Sequence, residues 1–131
     1  DLMNNFTFNP TLGHITTFGG HPLSCTASHA CLEYLLSSNL MKEVSVKESL
    51  FRANLEHPKI KSVRGKGLML AIELKDGEIA RKLVEKSLEK GLILFYFLFT
   101  KTAVRITPPL TISKKEITEG CQIIRSVLDD V

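Results

Sequence analysis

A chain of 131 residues with 44% hydrophobic and 24% charged side chains has the length of one domain and the balance of a soluble globule. Its formal charge of +3 is mild, and no Lys/Arg block is interleaved with aromatics, which excludes nucleic acid as an expected partner. The longest apolar run, Leu92 to Phe99, is far below the ~20 residues of a membrane span, and the N-terminus lacks the basic start and apolar core of a signal peptide. No membrane association is expected.

Residues 1–20, DLMNNFTFNPTLGHITTFGG, scatter their apolar side chains without period and repeat Asn, Pro and Gly. They read as irregular loop. From Pro22 the text becomes periodic: Leu23, Ala27, Ala30, Cys31, Tyr34 and Leu35 recur at helical spacing, and Pro22 suits a first helical turn. Ser37-Ser38-Asn39 punctuates this helix. A second carries Leu40, Val44, Phe51 and Leu55 on one face and ends before Pro58.

Ile60 to Arg64 is a short strand candidate. Gly65 and Gly67 bracket a turn, after which Leu68, Leu70, Ile72 and Leu74 alternate as a strand does. Asp76-Gly77 opens a helix bearing Ile79, Leu83, Val84 and Leu88, with Glu78 and Lys82 at i,i+4, and Gly91 closes it. Leu92 to Phe99 is apolar at every position, which suits a strand buried on both faces. Thr100-Lys101-Thr102 then turns the chain into a strand from Ala103 to Thr107, stopped by Pro108-Pro109. The last helix has the clearest start: Ser113 and Glu116 form a capping box, Ile112 and Ile117 occupy staple positions, and Cys121, Ile124 and Leu128 continue the stripe. Two helices, two strands, a helix, two strands and a helix imply an α+β fold, a small antiparallel-type sheet covered by helices.

Cys25, Cys31 and Cys121 are an odd set without CxxC spacing, so core packing in a reducing, cytoplasmic setting is expected in place of a disulfide or zinc framework. His14, His21 and His29 lack a metal-ligand pattern. No metal is expected.

Two segments carry more than packing. In GHITTFGGHP the hydroxyls of Thr16 and Thr17 precede an aromatic, two glycines and a helix-starting proline. Hydroxyl donors, glycines that let the backbone approach, and a helix N-terminus suit a phosphate, although a plain turn explains the same residues. In AVRITPPLTIS, Val104 and Ile106 face one side of a strand and Arg105 the other. A strand-held guanidinium matches a carboxylate, while a solvated or salt-bridged arginine is the plainer reading.

Both segments, with HPLSCTASHACLEYL and HPKIKSVRGKGLMLAIEL between them, resemble class III aminotransferases, the pyridoxal-phosphate-dependent family of ornithine, acetylornithine and 4-aminobutyrate transaminases. The resemblance runs from about Gly13 to the C-terminus. It implies that residues 1–20 are the loop tail of the large cofactor-binding domain and residues 21–131 the C-terminal small domain with its connecting helix. It implies further that Thr17, with Thr16 beside it, binds the phosphate of pyridoxal 5'-phosphate across a homodimer interface. Arg105 then binds a substrate carboxylate or pairs with a glutamate of the large domain. Two positions depart from the family pattern, since many members have Gly where Ile15 stands and Asn where His21 stands.

The implied reaction moves an amino group between an amino acid or ω-amine and a 2-oxo acid, and it needs a lysine that the family carries upstream of the TTFGG-like loop. Lys66, between two glycines, reads as a turn residue, and Lys101, Lys114 and Lys115 read as surface charges. The chain by itself is therefore expected to be inactive, with no catalytic residue of its own, and to self-associate through apolar surface. The rival reading is a non-catalytic α+β binding or dimerisation module.

Overall fold

The computed structural model describes residues 2–9, 13 and 15–131, so the loop reading of residues 1 and 10–12 and the reading of His14 lie outside it. The chain divides into two compact units, Asp1–Ser38 and Asn39–Val131. In the first, a short 3-10 helix, Met3–Phe6, precedes helix α1, Pro22–Ser37. No residue of α1 is buried. Cys25 and Cys31 are accordingly exposed, against the expectation of core packing, whereas Cys121 is fully buried in the second unit. The physical reason is local: the described part of the first unit offers α1 no second layer on which to bury its apolar residues.

The second unit holds α2 (Leu40–Asn54), β1 (Ile60–Lys66), β2 (Met69–Leu74), α3 (Gly77–Glu89), β3 (Phe95–Phe97), β4 (Thr100–Ile106) and α4 (Lys114–Asp129). The strands form one antiparallel sheet in the order β1-β2-β4-β3. The α+β expectation holds, with a four-stranded sheet under helices. Ile72 faces Val104 and Leu70 faces Ile106 across the central pair. These side chains share one side of the pleat, and with Leu74 they meet Leu83 of α3 and Ile117, Cys121, Ile124 and Leu128 of α4 in the core. Helix α3 lies on β4, and α4 packs against both α3 and α2.

Two helices start as their sequences dictate. The Asp76 carboxylate accepts from the Ile79 N–H at 2.9 Å. Ser113 Oγ accepts from the Glu116 N–H at 3.2 Å while the Ser113 N–H donates back to Glu116 Oε2 at 2.7 Å. That reciprocal pair satisfies two otherwise orphaned donors.

The apolar run Leu92 to Phe99 departs from its expectation. Only Phe95–Phe97 is strand, at the sheet edge, and Phe97 pairs with Thr100 around a two-residue tip. Leu98 and Phe99 at that tip are 93% and 98% exposed, while Leu94 alone of the run is buried, with Leu92 packed beside it against the core. An edge strand has a neighbour on one side only, so continuous hydrophobicity did not mean burial on both faces. The turn likewise falls at Leu98-Phe99, two residues before the expected Thr100–Thr102.

A second finding concerns two lysines that the sequence does not single out. Lys47 on α2 is only 4% exposed. Its Nζ donates to the Leu110 carbonyl at 2.7 Å and pairs with Glu43 at 3.1 Å, pinning α2 to the segment after Pro108-Pro109. Lys59 Nζ donates to the carbonyls of Leu128 and Val131, placing a cation on the C-terminal carbonyls of α4.

Helix α2 also clamps the β1–β2 hairpin. Lys66 pairs with Met69 around Gly67-Leu68, and Gly67, at φ +61°, supplies the left-handed step of that turn. The Gly67 N–H donates to Glu48 Oε2 at 2.6 Å, and Arg52 bridges Glu48 Oε1 to the Val63 and Gly65 carbonyls. The Gly67 hydrogen bond first, then Arg52, holds the Glu48 carboxyl below the usual glutamate range. A group depressed in this way contributes stability above its unfolded pKa and loses it as pH falls through its folded one. The Gly67 amide resonance is expected to titrate with a midpoint below that of an ordinary glutamate. Glu48→Gln should abolish that transition, and a Gly67 shift unaffected by Glu48→Gln would show that the clamp does not exist in solution.

Candidate functional site

Thr16 and Thr17 stand in the loop that feeds α1. Neither hydroxyl takes a hydrogen-bond partner among the described residues, and both side chains are exposed. The loop closes with a turn in which the His21 N–H donates to the Phe18 carbonyl at 3.1 Å. Gly20 sits at φ +78°, the conformation such a turn asks of its third residue. A Cβ on Gly19 would lie 2.0 Å from Thr16 Oγ1, so a larger residue there would force that hydroxyl out of its position. Phe18 meets the His21 ring edge-on at 6.5 Å between centroids.

Helix α1 then begins with Pro22 at N1 and no side-chain cap, and the His21 carbonyl accepts the first intrahelical bond from Cys25. Two hydroxyls, a glycine cradle and an uncapped helix start are a fitting donor set for a phosphate monoester.

Arg105 occupies β4 in the second unit. As its alternation predicts, Val104 and Ile106 are buried and Arg105 is exposed. Its cross-strand neighbour is Phe95, whose ring centroid lies 5.2 Å from the guanidinium carbon. The stack fixes one face of the guanidinium and leaves its in-plane donors to recruit an anion. No carboxylate among the described residues forms an ion pair with Arg105. Glu73, on β2, is committed elsewhere: it accepts from Thr102 Oγ1 at 2.5 Å and from Arg64 Nε at 3.2 Å. Thr102 first, and Arg64 after it, hold the Glu73 carboxyl below its ordinary range. Arg105 is thus a guanidinium mounted on a rigid strand with its charge uncompensated in its own unit.

Phe95 was not legible as a site residue, because the misplaced turn concealed its register with Arg105. No group of three or more His, Cys, Asp or Glu able to hold a metal occurs among the described residues. Nor is any described helix long and apolar enough to cross a membrane.

Residues 1–128 match the aminotransferase class-III family. The chain is 38% identical over 123 residues to acetylornithine aminotransferase of Caldanaerobacter subterraneus, covering 90% of this chain and 30% of that protein. It is 39% identical over 119 residues to ornithine aminotransferase 2 of Staphylococcus saprophyticus, covering 88% and 29%. A Bacillus anthracis aminotransferase structure superposes with a TM-score of 0.82 at 29% identity, over 92% of this chain and 31% of that one. For adenosylmethionine-8-amino-7-oxononanoate aminotransferase of Methanocaldococcus jannaschii the TM-score is 0.80 at 29% identity, over 99% and 33%. Family, alignment and fold agree, so this chain, which spans about 30% of the length of the curated relatives it matches, belongs to the class-III aminotransferases.

Proposed function

We propose that this chain is the C-terminal part of a transaminase that moves an amino group between an amino acid or ω-amine and a 2-oxo acid. The observation that carries the reading is the pair of hydroxyls, Thr16 and Thr17, unpartnered among the described residues and beside the glycine cradle, in a chain matching the family along residues 1–128. The family uses pyridoxal phosphate. When bound, that cofactor supplies the electron sink for the carbanion formed at the substrate carbon.

In this reading residues 1–20 close the large domain and residues 21–131 form the small domain with its connecting helix. Thr17, assisted by Thr16, donates to the cofactor phosphate, across the interface of a homodimer in the cytoplasm. Arg105 holds a substrate carboxylate, or a glutamate of the large domain when an amine side chain must enter. The chain contributes binding and orientation and no proton shuttle. Lys47 and Lys59 are consumed by backbone carbonyls, and Lys66 ends β1 beside the hairpin turn.

Two measurements test this. Titrating pyridoxal phosphate into the chain should give no stable visible absorbance band; a band that borohydride fixes to one lysine overturns the proposed inactivity. Reading the gene upstream of Asp1 should reveal a long open frame carrying a strand-borne lysine. A start codon next to Asp1 would favour a binding or dimerisation module instead.

A further inference from the structure

The described sheet, in the order β1-β2-β4-β3, has two free edges. The β3 edge is three residues long, a poor template for another strand, whereas β1 runs for seven. Lys66 and Met69 flank a two-residue turn and so form a hydrogen-bonded pair; alternation then sends the N–H and C=O of Gly65 and Val63 away from β2. Those outward groups are the ones a further strand would bind. Both carbonyls are already taken. Arg52, on α2, donates Nη2 to the Gly65 carbonyl at 2.9 Å and Nη1 to the Val63 carbonyl. Glu48 Oε1 accepts from the same guanidinium, from Nε at 2.9 Å and Nη2 at 2.8 Å, and fixes it there. Beyond Arg52 a groove of about 420 Å³ continues along the edge past Leu55, Ile60 and Ser62. A register shift between Ile60 and Ser62 interrupts the edge at that end.

We infer that Arg52 is a lock on the β1 edge, and that the partner it excludes is the same edge of a second copy of this chain. The inference is independent of the transaminase reading. β1 is the longer of the two described edges, and two identical antiparallel edges complement each other about a twofold axis. Charge supplies part of the exclusion: Lys61, Arg64 and Lys66 would lie near their counterparts in such a pair. That repulsion is incomplete, because Arg64 is offset by Glu73 at 3.2 Å, and salt screens what is left. The cap on the backbone is of a different kind. A guanidinium bound to two successive outward carbonyls occupies the acceptors that an incoming N–H needs, and it stands where the new strand would run.

The test follows amide hydrogen exchange at Val63, Gly65 and Ile72 in the 131-residue chain over a range of chain concentrations, in high salt to screen the edge cations. In the wild type the two outward amides should exchange freely at every concentration, while Ile72, at the sheet centre, stays protected. Arg52→Ala retains the Gly67 bond to Glu48 and puts a stronger helix former into α2, so hairpin and helix persist. In that variant Val63 and Gly65 should exchange more slowly as concentration rises, by at least about tenfold where the dimer dominates. Should Ile72 lose protection in Arg52→Ala, the same readings are taken on Arg52→Met, whose side chain keeps an apolar stem and lacks the donors.

Protection of Val63 and Gly65 that grows with concentration in the wild type overturns the inference, because the edge then pairs with Arg52 in place. Free exchange at both amides in a folded variant overturns it too, whatever association takes place elsewhere on the surface. Protection in the variant that does not change with concentration means cover from within the chain, and rejects the second copy as partner.

Discussion

Ile72→Ala is expected to lower the unfolding free energy of the Asn39–Val131 unit by about 2–5 kcal/mol, read as a fall in the urea midpoint at unchanged slope. Ile72 is fully buried at the centre of β2, with Val63 on one neighbour and Val104 on the other. Truncation removes apolar area and opens a cavity that neither strand can close, because their register is pinned on both sides. Domains of this size are stable by about 5–15 kcal/mol, so the loss is a large share of the whole. Met69→Ala is the control: three residues away on the same strand, Met69 is 75% exposed, and its truncation should stay within about 0.5 kcal/mol. Equal effects at the two positions would mean that the sheet does not bury the face described.

The second large effect belongs to Arg105. In the complete transaminase proposed above, with Arg105 in its proposed carboxylate-binding role, Arg105→Ala should lower kcat/KM for the carboxylate-bearing substrate by roughly 10- to 100-fold, the range for losing charge-assisted hydrogen bonds to an ionised group. Arg105→Lys should recover little of it. An ammonium is a point donor that matches neither the planar carboxylate nor the face of Phe95. An unchanged kcat/KM for that substrate in Arg105→Ala would leave Arg105 as a partner for a glutamate of the large domain and remove it from substrate binding.

Where local chemistry decides, the fold was readable from the residues. The helix starts at Asp76 and Ser113 each depend on one side chain reaching a backbone N–H three residues on, and both are in place. The alternation of β2 and the Val104–Arg105–Ile106 triplet report burial directly, because period two leaves one face per residue type. Pro108-Pro109 ends β4 because neither residue has an N–H to give a ladder.

Readings failed where the answer depends on what lies beside a segment. Leu92 to Phe99 has no period, so nothing in it separates a central strand from an edge hairpin whose tip meets water. Lys47 looks like any helix lysine until the Leu110 carbonyl, far along the chain, arrives above it. Cys31 falls among the periodic apolar positions of α1, but burial needs a partner layer, which spacing does not encode. For the candidate site, the hydroxyl pair and the arginine were legible as residue types. The stack on Phe95 was not, since it follows from the cross-strand register.

The strand order has a kinetic corollary. β1 with β2, and β3 with β4, are joined by two-residue connections, whereas the central pair, β2 with β4, is separated by α3, β3 and the loops around them. Two ribbons can therefore assemble on their own within microseconds, and their docking must await closure of the intervening helical segment. Within the sheet, the pairing of Ile72 with Val104 therefore carries the larger loop-closure cost.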